Sequence, residues 1–112
     1  MPDYPAAMNL AGSSLAPNVG ASVASAATIT ITSAITKITG TAAVSLVKIP
    51  AGFRGVFVLI AAAAFTTVTG GTYAGSDGVN ESIPISVALT AVANKAILCV
   101  TDGLMIYPLL TA

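Results

Sequence analysis

Few side chains in this chain of 112 residues are able to do chemistry. There are four basic and four acidic groups, one cysteine and no histidine. Without an imidazole, the Ser-His and Cys-His arrangements that activate a nucleophile have no base. A lone cysteine also excludes a disulfide framework and a Cys/His zinc site within one chain. The densest run of oxygen ligands is Ser76-Asp77-Gly78-Val79-Asn80-Glu81. A calcium loop of the EF-hand kind needs ligands at alternating positions and a closing glutamate, and that spacing is missing, so the run reads as solvated loop polarity. Asp77, Glu81 and Asp102 are the candidates for a pair of carboxylates of the glycosidase kind, but each falls in a loop or turn where it has a structural use. Gly70-Gly71 lacks the lysine and the following helix pattern of a phosphate loop. The sequence therefore predicts no enzyme, no cofactor and no metal.

The remaining reactive groups are read in the same way. Cys99 lies in the apolar run Ala96-Ile97-Leu98-Cys99-Val100 and is expected to be a buried thiol acting as a small hydrophobe. Lys37, Lys48, Arg54 and Lys95 are scattered, whereas a surface that tracks nucleic-acid phosphates needs clustered cations. Aromatic residues make up 5% of the chain and tryptophan is absent, which weakens stacking on sugars or single strands. Tyr4, Tyr73 and Tyr107 are expected to pack with a wet hydroxyl. Arg54, between an exposed turn and an apolar strand, either reaches a carboxylate on a partner or sits in solvent. The ten apolar residues Val56 to Phe65 fall short of the roughly 20 that a spanning helix needs, so no membrane partner is expected. Met1-Pro2-Asp3-Tyr4 carries no positive charge ahead of an apolar stretch, and no secretory signal is expected.

The elements that must position these groups are strands. Hydrophobic residues are 55% of the chain and charged residues only 7%, against about 25% charged in ordinary domains. Thirteen Thr, eleven Val and ten Ile favour β structure. The formal net charge is zero, so nothing holds copies apart at long range, and self-association or lasting attachment to another protein is the natural reading. Residues 1–26, rich in Ala, Ser, Asn, Gly and Pro, read as an extended arm that is either disordered or ordered on a partner surface. Residues 27–112 read as one β domain. Thr28-Ile29-Thr30-Ile31-Thr32 alternates as a half-buried strand, Ile35 to Thr39 and Ala42 to Ile49 follow, and Pro50-Ala51-Gly52 makes a turn. Gly55-Val56-Phe57-Val58-Leu59-Ile60 is apolar throughout, the pattern of a central strand covered on both faces. Ala61 to Ala64 suits close packing, either between sheets or across a subunit axis. Phe65 to Thr69 extends the β pattern, Gly70 to Ser82 is a long polar loop, and Ile83, Ile85, Val87 and Leu89 share one face of a strand preferred over a rival helix at Ser86 to Leu98. Lys95 to Thr101, a two-residue turn at Asp102-Gly103 and Leu104 to Tyr107 complete the chain, ended by Pro108. The fold class is thus all-β: a small sandwich or barrel of seven to eight short, mostly antiparallel strands with an N-terminal arm.

One resemblance adds to this reading. The succession Ile35-Thr36-Lys37-Ile38-Thr39-Gly40-Thr41, Ile49-Pro50-Ala51-Gly52-Phe53-Arg54-Gly55, Leu59-Ile60, Phe65-Thr66, Thr69-Gly70-Gly71, Asn94-Lys95-Ala96 and Asp102-Gly103 before Tyr107-Pro108 resembles a β-segment recurrent in tailed-bacteriophage virion proteins, over residues 29–108. Thr72 stands where an Asn commonly follows the two glycines, and Leu104 to Ile106 replaces a polar, Trp-containing approach to the tyrosine. The resemblance implies a structural virion component, most like a capsid decoration or cement protein. Such a protein is made in the host cytoplasm, seated on the capsid exterior against the major capsid protein, and often trimeric. The alternative it implies is a tail, fibre or baseplate module that meets a host receptor through the Gly70 to Ser82 loop. The interface residues expected on these readings are Tyr4, Met8, Leu10 and Leu15 in the arm, and Arg54, Tyr73, Asp77 and Glu81 in the domain.

Overall fold

Eleven strands and no helix make up residues 15–110, the part of the chain that the computed structural model describes. In chain order they are β1 (Ala16–Val19), β2 (Val23–Ala24), β3 (Thr28–Thr30), β4 (Ser33–Thr39), β5 (Leu46–Pro50), β6 (Gly55–Ala61), β7 (Phe65–Thr67), β8 (Asn80–Pro84), β9 (Leu89–Ala91), β10 (Ala96–Thr101) and β11 (Ile106–Leu110). Six of them form one sheet in the order β1-β4-β6-β10-β11, with β2 also on β4; β3-β5-β8 form a second sheet, and β7-β9 a two-stranded ribbon. The protein is all-β, with inner residues of all three sheets meeting in one hydrophobic core.

Register decides which side chains enter that core. On β6, Phe57, Leu59 and Ala61 point inward, level with Cys99 and Ile97 of the antiparallel neighbour β10. Parallel pairing with β4 sets Thr36 beside Leu59 and Ile38 beside Ala61 on the same face. The second sheet supplies Ile29, Val47, Ile49 and Ile83, and Phe65 and Ala91 close the core from the ribbon.

The strand count exceeds the expected seven to eight. The β8–β9 region shows one reason: Ile83 and Ile85 are buried as the alternation requires, but the pairing with β5 ends at Pro84, Val87 is exposed, and the chain enters β9 as a separate strand. The other reason lies in the arm, whose described part runs parallel along β4. Ala16 N–H donates to the Thr32 carbonyl at 3.0 Å, Gly20 N–H to Ile35 at 3.0 Å and Ser25 N–H to Thr39 at 2.7 Å, while Leu15 packs on the core. Close approach is the reason for glycine at position 20, where a Cβ would overlap the Ser33 side chain. Four pairings are parallel, and the four antiparallel ones include the longest ladders.

Two turn assignments change. The β10–β11 connection takes in residues 102–105 rather than Asp102-Gly103 alone, because the Asp102 carboxylate accepts hydrogen bonds from the backbone N–H groups of Leu104 and Met105 at 2.9 and 3.1 Å. Pro108 does not end the last strand but lies within it opposite Cys99, which an edge strand tolerates since one row of its N–H groups needs no ladder partner.

The larger difference concerns β6. Its all-apolar sequence predicts cover on both faces, yet only the inner face is covered: Val56 is 53% exposed and Val58 and Ile60 are half-buried. This alternation sets an expected outcome for two neighbouring substitutions. In dilute solution Phe57→Ala should lower unfolding free energy by about 3–5 kcal/mol, while Val56→Thr should change it by less than about 0.5 kcal/mol. Denaturant titration checks both, and equal costs would contradict the assigned faces.

Candidate functional site

Glu81 is the one carboxylate drawn inward among the described acidic residues. It stands opposite Ile49 in the β5–β8 ladder, two residues before Ile83, so strand alternation points it to the inner side of the second sheet. Its side chain is 11% exposed. Both oxygens are occupied: Oε1 accepts from the Tyr73 hydroxyl at 3.0 Å, and Oε2 accepts from Gly52 N–H at 3.1 Å and from Arg54 Nη1 at 3.4 Å. The Pro50–Gly52 turn places the Gly52 donor, since β5 ends at Pro50, and Phe53 N–H closes the turn on the Pro50 carbonyl at 3.1 Å. Arg54 leaves that turn, donates to the Phe53 carbonyl at 2.8 Å and lies across Gly103, where a Cβ would overlap the guanidinium. The cluster thereby ties the β5–β6 turn, the loop before β8 and the β10–β11 turn together.

Electrostatics follow from these contacts. Burial pushes the Glu81 pKa up, but the Gly52 N–H, the Tyr73 hydroxyl and the Arg54 guanidinium outweigh it and hold the carboxyl below its ordinary value. The Tyr73 hydroxyl moves up, through desolvation and its bond to Glu81. Arg54 is half exposed, so its ion pair contributes little beside the two neutral donors. A carboxylate with donors on both oxygens is a brace between the β5–β6 turn and the loop before β8.

Asp77 stands apart from this cluster. Its Oδ1 accepts from Val79 and Asn80 N–H at 2.9 and 2.7 Å, an Asx turn that bends the loop into β8 and lowers the Asp77 pKa. Beside it, Lys48, Ala74, Gly75, Ser76, Asp77, Asn80 and Ser82 line an open hollow of about 220 Å³. Of the interface residues read from the sequence, the structure brings together Arg54, Tyr73 and Glu81, leaves Asp77 in its turn and packs Leu15 on the core. Tyr4, Met8 and Leu10 lie outside the described residues. The expected loop Gly70 to Ser82 gives up its last three residues to β8. The inward turn of Glu81 was missed, though the spacing Glu81, Ile83, Ile85 carried the signal. Among the described residues no three His, Cys, Asp or Glu side chains gather as a metal cage.

The two main sheets differ most on their outer faces. The second sheet presents Thr28, Thr30, Lys48 and Ser82 outward with Leu46 and Pro84 on the same side, a mixed face more polar than its counterpart. The six-stranded sheet presents Val19 and Ile35, then Val56, Val58 and Ile60, then Ala96, Leu98 and Val100, then Tyr107 and Leu109, matched across the strands by register. Val19, Val56, Val100, Tyr107 and Leu109 are between 41% and 61% exposed, and the one charged side chain on these paired positions is Lys37, level with Ile60. A contiguous apolar face of this kind marks an interaction surface. An open groove of about 330 Å³ lies between Thr66, Thr67, Val68, Ala88, Leu89 and Thr90 at the ribbon. No family model, curated protein or solved structure matches the chain.

Two outcomes are expected. Folding lowers the Glu81 pKa, so its contribution is complete above the ordinary value of 4.5 and is lost as pH falls through the lower folded value. Glu81→Gln should therefore cost about 1–2 kcal/mol at pH 7, with the gap to wild type closing as acid protonates the native carboxylate; a gap unchanged into strong acid would contradict the brace. Burial pushes the Cys99 thiol up to about 12. At pH 8 it should resist alkylation in the folded protein and react fully in denaturant, which mass spectrometry reads directly.

Proposed function

We propose that the chain is a non-enzymatic structural protein of a tailed-phage virion, a decoration or cement protein that seats on the outside of the head and bridges neighbouring capsid subunits. The observation that supports this reading is the apolar outer face of the six-stranded sheet. A protein that works alone in water does not gain from presenting Val56, Leu98, Val100 and Leu109 side by side, whereas one held permanently against other protein does. The resemblance of residues 29–108 to β-segments of phage virion proteins supports the setting. The mechanism is mechanical: contact that spans two capsid subunits must be broken before they separate, and each 100 Å² of apolar contact adds about 2.5 kcal/mol before ordering costs. The braced turns suit that work, since Glu81 ties the β5–β6 turn to the loop before β8 and Arg54 reaches across to the β10–β11 turn.

A tail, fibre or baseplate module is the second reading, favoured by the open hollow at Lys48, Ser76, Asp77 and Asn80, whose polar rim suits a glycan or a host protein. Copy number separates the two. Quantitative mass spectrometry of virions purified from a phage that encodes this chain should find hundreds of copies, released from the head surface by mild dissociation. A few copies that purify with tails would favour the second reading, and absence from the particles would overturn both.

A further inference from the structure

We propose that the outer face of the six-stranded sheet is an interface between copies of this chain, packed face to face around a two-fold axis. The inference rests on the reading that the protein works in lasting contact with other protein and narrows it: this face is taken by a second copy, and contact with capsid subunits falls to the remaining surface of the pair.

Register fixes the shape of the patch. Val56 on β6, Val100 on β10 and Tyr107 on β11 form one row; Val58, Leu98 and Leu109, with Ile35 on β4, form the next; Ile60 and Ala96, with Lys37, form the third. Val19, Val56, Val100, Tyr107 and Leu109 are 41–61% exposed on this face, and two such faces packed together remove on the order of 1,000 Å², the lower bound for a specific interface. One sheet packing on another this way repeats the contact that already closes the inner side.

Charge selects a second copy over an unlike partner. The charged side chains at the patch are Lys37 at one corner and Asp102, bonded to Tyr107, beyond the opposite end; their signs cancel, so a strongly charged partner gains little there, and two copies of a chain with zero net charge do not repel. Lys37 sits at a corner of the patch. A two-fold axis in the plane of the face, along or across the strands between Val58 and Leu98, sets the two Lys37 positions about 13 Å apart by strand spacing and rise, beyond the roughly 8 Å over which salt leaves charges in contact. The face is thus self-complementary: apolar centre meets apolar centre, and each lysine stays at the rim. It also supplies the second cover that the all-apolar sequence of β6 calls for and the single chain does not provide.

Sedimentation equilibrium of the full chain tests this. At about 10 μM and above, the mass should be twice the 11.0 kDa of one chain. Val56→Lys and Leu109→Lys alter side chains more than half exposed, so both should keep the wild-type circular dichroism and raise the dissociation constant at least about 100-fold. Val56→Thr/Val100→Thr, which keeps β-branched shape without adding charge, should weaken the dimer by a smaller factor. Wild-type protein that stays monomeric at about 100 μM, or lysine variants that remain dimeric, would overturn the proposal. A free monomer that still loads onto heads would refute the copy-to-copy interface and leave the decoration reading standing; a dimer that never joins a virion would do the reverse.

Discussion

Strand β6 carries apolar side chains on both faces, and the chain has enough sheet to cover one of them. Phe57, Leu59 and Ala61 are sealed by the second sheet and the ribbon, and that burial organises the core. Val56, Val58 and Ile60 face outward with Leu98, Val100, Tyr107 and Leu109 beside them. Every hundred Å² of such surface left in water forgoes about 2.5 kcal/mol, and charge stands only at its margins, with Lys37 at one corner and Asp102 beside Tyr107 at the other end. Elsewhere the exposed apolar residues Val68, Val79, Val87, Val92 and Leu104 sit in loops and turns rather than side by side on a sheet, and the second sheet turns threonines, a lysine and a serine outward. The asymmetry is a property of the strand sequences themselves: alternating Thr and Ile at Thr28 to Ile31, unbroken apolar residues from Val56 to Ala61.

Rigidity at one end of the molecule comes from polar chemistry. The Glu81 carboxylate is drawn inside the second sheet, where an unpaired charge would be expensive, and the structure answers with a backbone N–H and a guanidinium from the β5–β6 turn and a phenol from the loop before β8. Asp77 and Asp102 do comparable local work, each accepting two backbone N–H groups to hold a turn, and Tyr107 adds its hydroxyl to Asp102 at 3.1 Å. All three described carboxylates are thus employed in holding loops, and so is the arginine.

Much of the fold was legible. Periodicity placed Ile29 inward between two exposed threonines, turn chemistry placed the bends at Pro50 to Gly52 and at Asp102, and the absence of histidine turned attention from catalysis to contact. What was not legible has physical causes. The arm segment from Ala16 to Ala24 has no hydrophobic period, because it is held by backbone bonds to β4 that are blind to side-chain type. Glu81 looked like loop polarity because its neighbours Ser76 to Asn80 are polar; its inward direction is fixed by the ladder with β5. Unbroken apolar sequence in β6 signalled cover on two faces without saying whether the second cover belongs to the same molecule.

Solvent relaxation of methyl groups tests that last point most directly. With a soluble paramagnetic probe added to concentrated protein, the methyls of Val56, Val100 and Leu109 should relax as slowly as those of buried Val47, because another protein surface covers them. If they instead broaden as strongly as the exposed Thr28 and Thr30 methyls at every concentration and in the presence of virion particles, the outer face is simply wet and the account is wrong.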